Sequence, residues 1–388
     1  MSLSDQVLAA VRAALPACEG GVSLHEPEFR GQEWAYLKDC LDTGWVSSVG
    51  AYVDRIERDL EAITGAAHAV ATSNGTAALD ICLRLAGVKP GDEVLVPTLT
   101  FVATANAVAY QGATPHFVDS EAATLGVDPV RLDTYLHQTA RLNGDVCLNT
   151  RTGAPIRALM VMHVFGHPCD LDGLAEVAAR WKLVLVEDAA EGLGSRWNGR
   201  HVGNAGLVSA LSFNGNKIVT TGGGGAILTN DAELGRRAKH LTTTARVPHK
   251  WSFIHDELGW NYRMPNLNAA LGCAQLERLP DMMARKAVLA RRYAEAFRDV
   301  EGVRLLTPGA GAEVNHWLNA LILDRPDMAT RDALLEALNA AGFMARPLWT
   351  LMHRLPMHAD CPRDDLPVAE ALEASVINIP SSARLAEA

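Results

Sequence analysis

A chain of 388 residues, 48% hydrophobic and 21% charged, has the profile of a globular protein with a large core, with room for roughly two or three domains. Its formal net charge of −10 argues against nucleic acid or an anionic membrane surface as the main partner. The seven cysteines (Cys18, Cys40, Cys82, Cys147, Cys169, Cys273, Cys361) form no CxxC pair, and no apolar run approaches the roughly 18 residues of a membrane span, so reduced thiols and a cytoplasmic location are expected.

The chain opens on an amphipathic Val-Leu-Ala-Ala pattern carrying Asp5 and Arg12, which predicts a helix rather than a signal peptide. Helices are expected over 4–14, 31–43 and 52–64. A regular alternation then begins. It reads as strand 68–72, helix 75–85, strand 93–97, helix 101–111, strand 115–119 and helix 129–138. Strands 157–164 and 182–187 flank helix 171–180, and strands 207–213 and 226–229 close the ladder. This rhythm predicts an α/β fold, a mostly parallel, doubly wound sheet covered by helices. After about residue 245 the pattern changes to helices 266–279 and 281–300, an isolated strand 317–323 and a helix 331–341. The expected division is a large domain over 1–245, including the N-terminal helical segment, and a smaller α+β domain over 246–388.

Chemistry on such a sheet belongs past the carboxyl ends of parallel strands. Four loops qualify. Thr72-Ser73-Asn74-Gly75-Thr76 places small residues and hydroxyls at a helix start, which suits a phosphate cradle or equally an ordinary N-cap. In Pro97-Thr98-Leu99-Thr100-Phe101 the phenyl ring could cover a planar ligand, although such a ring is more often core. Glu187-Asp188-Ala189-Ala190-Glu191 follows the apolar run 183–186, so a buried Asp188 must find a cationic or N–H partner. The fourth loop, 211–230, delivers Lys217 from a buried strand into small polar residues followed by four glycines, 222–225. A desolvated lysine there suits imine chemistry, and a surface lysine beside a flexible hairpin fits those residues as well.

Together these parts are what a pyridoxal phosphate site needs: a phosphate cradle, a ring to stack, a carboxylate for the pyridine nitrogen and a lysine for the aldehyde. The pieces Asn74-Gly75-Thr76-Ala77-Ala78-Leu79, Pro97-x-x-Thr100-Phe101-Val102-Ala103, Glu187-Asp188-Ala189-Ala190-Glu191 and Ser212-Phe213-x-x-x-Lys217 stand in a telling order. That order, continued by Gly259-Trp260-Asn261-Tyr262-Arg263-Met264, resembles the DegT/DnrJ/StrS nucleotide-sugar aminotransferases over nearly the whole chain.

The resemblance implies an aspartate-aminotransferase-like fold (fold type I) and assigns residues one at a time. Lys217 resembles the lysine that holds the cofactor as a Schiff base, and Asp188 the partner of its pyridine nitrogen. Asn74, Gly75, Thr76 and Ser212 resemble the phosphate-binding set, and Phe101 the residue packed on the ring. Glu191 stands near the phenolic oxygen, where many relatives have glutamine. Asn261 resembles the asparagine that reaches the partner's cofactor phosphate, which implies a homodimer with shared sites. Lysine at 217 also separates the chain from the family's dehydratase branch, which has histidine there.

The implied activity is transfer of an amino group from L-glutamate to the C4 keto group of a nucleotide-linked 4-keto-6-deoxy sugar. The run 214–225, Arg346-Pro347-x-Trp349-Thr350, His316-Trp317 and Ile379-Pro380-Ser381-Ser382 are most similar to the group acting on UDP-4-keto-6-deoxy-N-acetylhexosamines, for bacterial surface glycan or nonulosonic acid biosynthesis. A dTDP- or GDP-linked sugar is the alternative, followed by a non-catalytic regulatory relative, which should have lost Lys217 or Asp188. His163, Arg346 and Trp349 are candidate sugar-nucleotide contacts. The His163-Val-Phe-Gly-His167-Pro-Cys169 stretch looks zinc-like, but Gly166 and Pro168 break the helix that would align both histidines, and no metal is expected. Gly192-x-Gly194 lacks the third glycine of a dinucleotide fingerprint, and Gly215-Asn-Lys217 is no phosphate-binding Gly-Lys-Ser/Thr loop.

Overall fold

Apolar residues alternate between the two faces of the central strands, and this alternation builds the molecule. In the computed structural model, which describes residues 2–17 and 20–387, Val94 and Val96 lie in one buried cluster and Leu95 in the other. Cys18 lies outside the described residues. Three helices come first: α1 (Leu3–Ala14), opened by a Ser2–Asp5 capping box, α2 (Glu33–Thr43) and α3 (Ala51–Thr64), the last two ended by left-handed Gly44 and Gly65.

The alternating region follows as β1 (His68–Thr72), α4 (Gly75–Leu85), β2 (Glu93–Pro97), α5 (Val102–Tyr110), β3 (Thr114–Val118) and α6 (Pro129–Thr139). A hairpin of β4 (Ala140–Asn143) and β5 (Val146–Asn149) precedes β6 (Pro155–Met162), α7 (Leu171–Arg180) and β7 (Val184–Asp188). Two short strands, β8 (Arg196–Trp197) and β9 (Arg200–His201), lead to β10 (Val208–Ser212) and β11 (Gly225–Thr229).

The main path of the sheet runs β1-β11-β10-β7-β6-β2-β3, with β10, β7, β6, β2 and β3 mutually parallel. Strand β11 departs from the expected parallel rule and is antiparallel to both neighbours. A parallel return requires a crossover, usually helical, whereas the segment from Phe213 to Gly224 is occupied by the lysine loop and brings the chain back beside β10. The family's fold type I architecture is the one observed.

Beyond the sheet come α8 (Ala232–Thr242), the small ribbon β12 (Arg246–Val247) and β13 (Ile254–His255), and α9 (Asn266–Ala296). The expected break at Pro280 does not occur, and α9 runs on as one helix of 31 residues. A proline inside a helix costs ~3 kcal/mol. Burial of Leu276, Leu279, Met282, Leu289 and Tyr293 along the same helix outweighs that cost.

The strand expected to be isolated is β16 (Asn319–Leu323), which sits in an antiparallel sheet ordered β14 (Val303–Leu305), β16, β18 (Val376–Ile379), β17 (Arg346–Pro347). Between these strands lie β15 (Ala312–Glu313), paired with β8, and the helices α10 (Met328–Ala340) and α11 (Pro367–Glu373). Although α1 opens the chain, its Val7, Ala10, Val11 and Ala14 pack with Leu289 and Tyr293 of α9, Leu321 and Leu338. No helix among the described residues is long and apolar enough to cross a membrane.

Candidate functional site

The carboxyl ends of β7 and β10, the loop after β2 and the first turn of α4 converge on one cavity of about 330 Å³. It is lined by Asn74, Gly75, Thr76, Leu79, Phe101, Ala103, Met162, Asp188, Ala190, Glu191, Ser212, Asn214, Asn216, Lys217, Trp317 and Trp349. Segments separated by more than 200 residues in the chain thus meet at the strand ends.

The α4 end of the cavity is built by close backbone approach. A Cβ on Gly75 would stand 2.8 Å from Ser212 Cβ, and one on Gly225 would stand 2.6 Å from the Asn74 carbonyl carbon. Glycine at both positions lets the first turn of α4 lie directly on β10 and β11. Asn74 caps the helix, its Oδ1 accepting from the Ala77 N–H at 2.8 Å. Helix geometry leaves the first-turn N–H groups of Gly75 and Thr76 without intrahelical acceptors, which suits an anionic ligand. The four glycines differ among themselves. Gly222 has φ +77°, Gly224 would collide with Thr221 and Met264, Gly225 with Asn74, while a Cβ on Gly223 would meet only the Ser73 carbonyl oxygen at 4.0 Å.

Asp188 ends β7 and is buried at 2% exposure. Its Oδ2 accepts from Thr104 Oγ1 at 2.7 Å and its Oδ1 from the Ala190 N–H at 3.1 Å. Burial pushes its carboxyl above the usual carboxylate range, and these two donors and the charge of Lys217 oppose that shift. Among the described residues no cation lies within ion-pair distance of it. The carboxylate is therefore suited to a cationic ligand atom facing the cavity.

Lys217 lines the same cavity, where its Nζ donates to Glu191 Oε1 at 2.9 Å and stands 4.1 Å from the centroid of the Trp317 ring. Glu191 is fully engaged, its Oε2 accepting from the Phe165 N–H at 2.8 Å. Burial raises the Glu191 carboxyl, and the Lys217 charge opposes the rise. A glutamate here is thus matched by two donors of the protein itself. Phe101 is 49% exposed, so it is a wall of the cavity with one face open rather than a core residue, in edge contact with Trp349 at 6.1 Å.

Three candidates lie elsewhere. His163 is completely buried beneath the floor, its Nε2 3.0 Å from Glu187 Oε2 and its Nδ1 accepting from the Cys169 N–H. Both ring nitrogens have partners within the protein, and the side chain does not line the cavity. Arg346 sits on β17 with its guanidinium turned to the Ala345 carbonyl at 3.0 Å, outside the cavity that Trp349, three residues on, does enter. Asn261 is exposed, its Oδ1 accepting from Arg263 Nε at 2.9 Å, away from the cavity of its own chain. Conversely, the sequence motifs mark neither Thr104 nor Met162, and the sequence offers Trp317 only within the His316-Trp317 pair, without a place at the site. The Thr100–Thr104 spacing, two hydroxyls one turn apart where α5 begins in an apolar run, is a signal that could have revealed Thr104.

A family model for the DegT/DnrJ/EryC1/StrS aminotransferases matches residues 27–388. The chain belongs to that family. It is 37% identical over 371 residues, 95% of each chain, to a GDP-perosamine synthase of Caulobacter vibrioides, and 34% identical, over 93% of each, to a GDP-perosamine synthase of Escherichia coli O157:H7. Among solved structures it is similar to DesV of S. venezuelae in complex with a ketimine intermediate, with 31% identity, TM-score 0.80 and coverage of 91% of this chain and 90% of that one. As a family member the chain is a sugar-nucleotide aminotransferase that uses pyridoxal phosphate. The open wall of Phe101, the buried Asp188 carboxylate and the glycine-built turn of α4 fit that cofactor.

Proposed function

We propose that this aminotransferase moves an amino group from L-glutamate to the C4 keto group of a GDP-linked 4-keto-6-deoxyhexose. What carries the reading is one cavity lined by both Lys217 and Asp188 together with Gly75 and Thr76 of the first turn of α4. The choice of GDP rests on the relatives at 37% and 34% identity, both GDP-perosamine synthases. A UDP-linked 4-keto-6-deoxy-N-acetylhexosamine is the second reading, favoured by the run 214–225 and by Trp349 in the cavity wall.

When bound, pyridoxal phosphate supplies an aldehyde that captures amines and a ring that takes up the electron pair released at the donor's Cα. Asp188 would accept from the protonated ring nitrogen, and Thr104 and the Ala190 N–H keep its carboxylate aimed. Gly75, Thr76 and Ser212 would hold the phosphate, Asn74 shapes the turn that presents them, and Phe101 would cover one ring face. Lys217 Nζ would take the proton from the donor's Cα and deliver it to the carbon that carried the cofactor's aldehyde, and would run the transfer in reverse for the keto sugar, with Glu191 beside it as charge partner. Asn261, exposed on its own chain, completes the phosphate site of a second copy.

The deciding experiment incubates the purified protein with glutamate and a panel of GDP-, UDP- and dTDP-linked 4-keto-6-deoxy sugars. Aminated GDP sugar at the highest kcat/KM is expected. Turnover of the UDP sugars alone would replace the GDP reading by the second, and a colourless wild type that cannot be loaded with pyridoxal phosphate would remove both.

A further inference from the structure

Trp317 enters the cavity from the C-terminal half of the chain, and its ring is tied from several directions. The indole N–H donates to the Asn216 carbonyl at 2.8 Å, one residue before the reactive lysine. Its backbone N–H donates to Asn315 Oδ1 at 2.9 Å. Asn315 is itself fully buried and donates from Nδ2 to the Glu191 and Leu193 carbonyls at 2.8 and 2.9 Å. One residue, Asn315, thus couples the Trp317 loop to the Glu191 loop.

The backbone of the Trp317 loop is held by Lys286 of α9, only 1% exposed. Its Nζ donates to the carbonyls of His316 at 3.3 Å, Trp317 at 3.1 Å and Ser381. Among the described residues no carboxylate lies within ion-pair distance of it. A buried lysine without a counter-ion is costly, and its three N–H donors here meet three carbonyls, two on the loop that carries the ring and one, of Ser381, on the segment after β18. His316 is held at φ +52°, a left-handed conformation that a non-glycine residue keeps only where its surroundings over-determine it. The outcome is a fixed indole face 4.1 Å from Lys217 Nζ, with Glu191 Oε1 at 2.9 Å from the same nitrogen.

We propose that Trp317 is a positioning residue for the Lys217 amine, its ring face holding that nitrogen during the stage at which it carries the proton. Lys286 and Asn315 fix the ring. The inference rests on the reading of Lys217 as the reactive amine. An aromatic face within about 6 Å favours the ammonium over the neutral amine, so the ring supports the charged stage of the proton transfer.

The test reads the amine in the cofactor-free protein, by the fraction of Lys217 labelled with acetic anhydride at one fixed pH, from mass spectrometry of its peptide. Trp317→Leu is expected to raise that fraction about threefold as the ring face that holds the ammonium is lost. Trp317→Phe, which keeps a ring face and disturbs folding less, should raise it by a smaller amount. Lys286→Gln, which frees the loop carrying the ring, should move it in the same direction as Trp317→Leu. In the loaded enzyme, Trp317→Leu should lower kcat about tenfold while both KM values stay within about twofold. An unchanged labelled fraction in Trp317→Leu and Trp317→Phe, with only a lower Tm, would show that the ring merely packs and would overturn the proposal. Failure of the underlying reading has a different sign: Lys217→Ala would then turn over substrate like the wild type.

Discussion

Asp188 shows how function and stability pull apart at a single residue. Burial raises its carboxyl above the unfolded value, so the stability it contributes is present in acid and lost as pH rises through the raised value. Ionising this carboxyl in the cofactor-free protein is therefore unfavourable, and a cationic ring nitrogen would relieve the cost of its negative charge. Asp188→Asn removes that charge while keeping the hydrogen bonds: Oδ1 still accepts from the Ala190 N–H, and Nδ2 can donate to Thr104 Oγ1, which then donates to Thr100 Oγ1 at 2.6 Å. The cofactor-free variant should be as stable as the wild type or more so at pH 7, by up to about 1 kcal/mol, and should lose that advantage below about pH 4. The loaded variant should lose about a hundredfold or more in kcat, because a neutral amide cannot keep the ring nitrogen protonated. Urea titrations across pH and steady-state rates check both halves. A variant that is less stable at pH 7 than at pH 4, relative to the wild type, would refute the charge argument. The carboxylate was legible in the sequence because an apolar strand ended on it. His163 carried as much apparent chemistry, yet its fate depended on Glu187 lying beneath it, a contact that no local pattern records.

At the scale of elements, the glycine run is a set of unequal positions. Gly225 lies in β11 where the strand meets the Asn74–Gly75 backbone, and an added Cβ would stand 2.6 to 2.7 Å from it. Neither backbone can yield without moving the first turn of α4 away from β10. Gly225→Ala is expected to cost about 2–4 kcal/mol and to weaken retention of the cofactor phosphate. Gly223→Ala meets only one carbonyl oxygen, at 4.0 Å, and should be neutral or stabilising by ~0.5 kcal/mol through a less flexible unfolded chain. Thermal melts of the loaded and cofactor-free proteins compare the two, and equal losses would show that the run acts as a uniform flexible loop. The same scale explains what was readable. Strands β1 and β2 and helices α4 and α7 fall where five-residue apolar runs and 3.6-residue spacing put them. Helix α8 lacks a sequence signal because its window, Ala-Glu-Leu-Gly-Arg-Arg-Ala-Lys-His-Leu-Thr, carries few apolar residues and a glycine, Gly235, whose added Cβ would stand 3.0 Å from His68 Cβ. The β4–β5 hairpin is largely exposed on β4 and lacks an apolar stripe. In α9 the local rule for Pro280 was overridden by tertiary burial on both sides of it.

For the whole molecule, the open question is where the work of Asn261 is done. The first turn of α4, Ser212, Asp188 and Lys217 share one cavity within a single chain. Asn261 stands outside that cavity, exposed, on the segment bridged to Thr243 and followed by Arg263, which bridges to Thr72. Its neighbourhood offers further apolar surface, with Trp251, Phe253 and Leu258 each more than 70% exposed on the adjoining ribbon. Such a patch is expected where another protein surface covers it. If two chains complete each other's phosphate sites, damage to Lys217 and damage to Asn261 fall on different sites in a mixed dimer. Lys217→Ala should be inactive on its own, and Asn261→Ala should bind the cofactor phosphate about tenfold or more weakly, the cost of one charge-assisted hydrogen bond. Refolding the two variants together should then create mixed dimers in which one site has lost both residues and the other has both. Activity of the mixture at limiting cofactor should rise above the sum of the separate variants, toward a quarter of the wild-type value when random pairing makes half the dimers mixed. If Asn261 served its own chain instead, each mixed dimer would hold one site without lysine and one without asparagine. Mixing would then add nothing to the sum of the two parents.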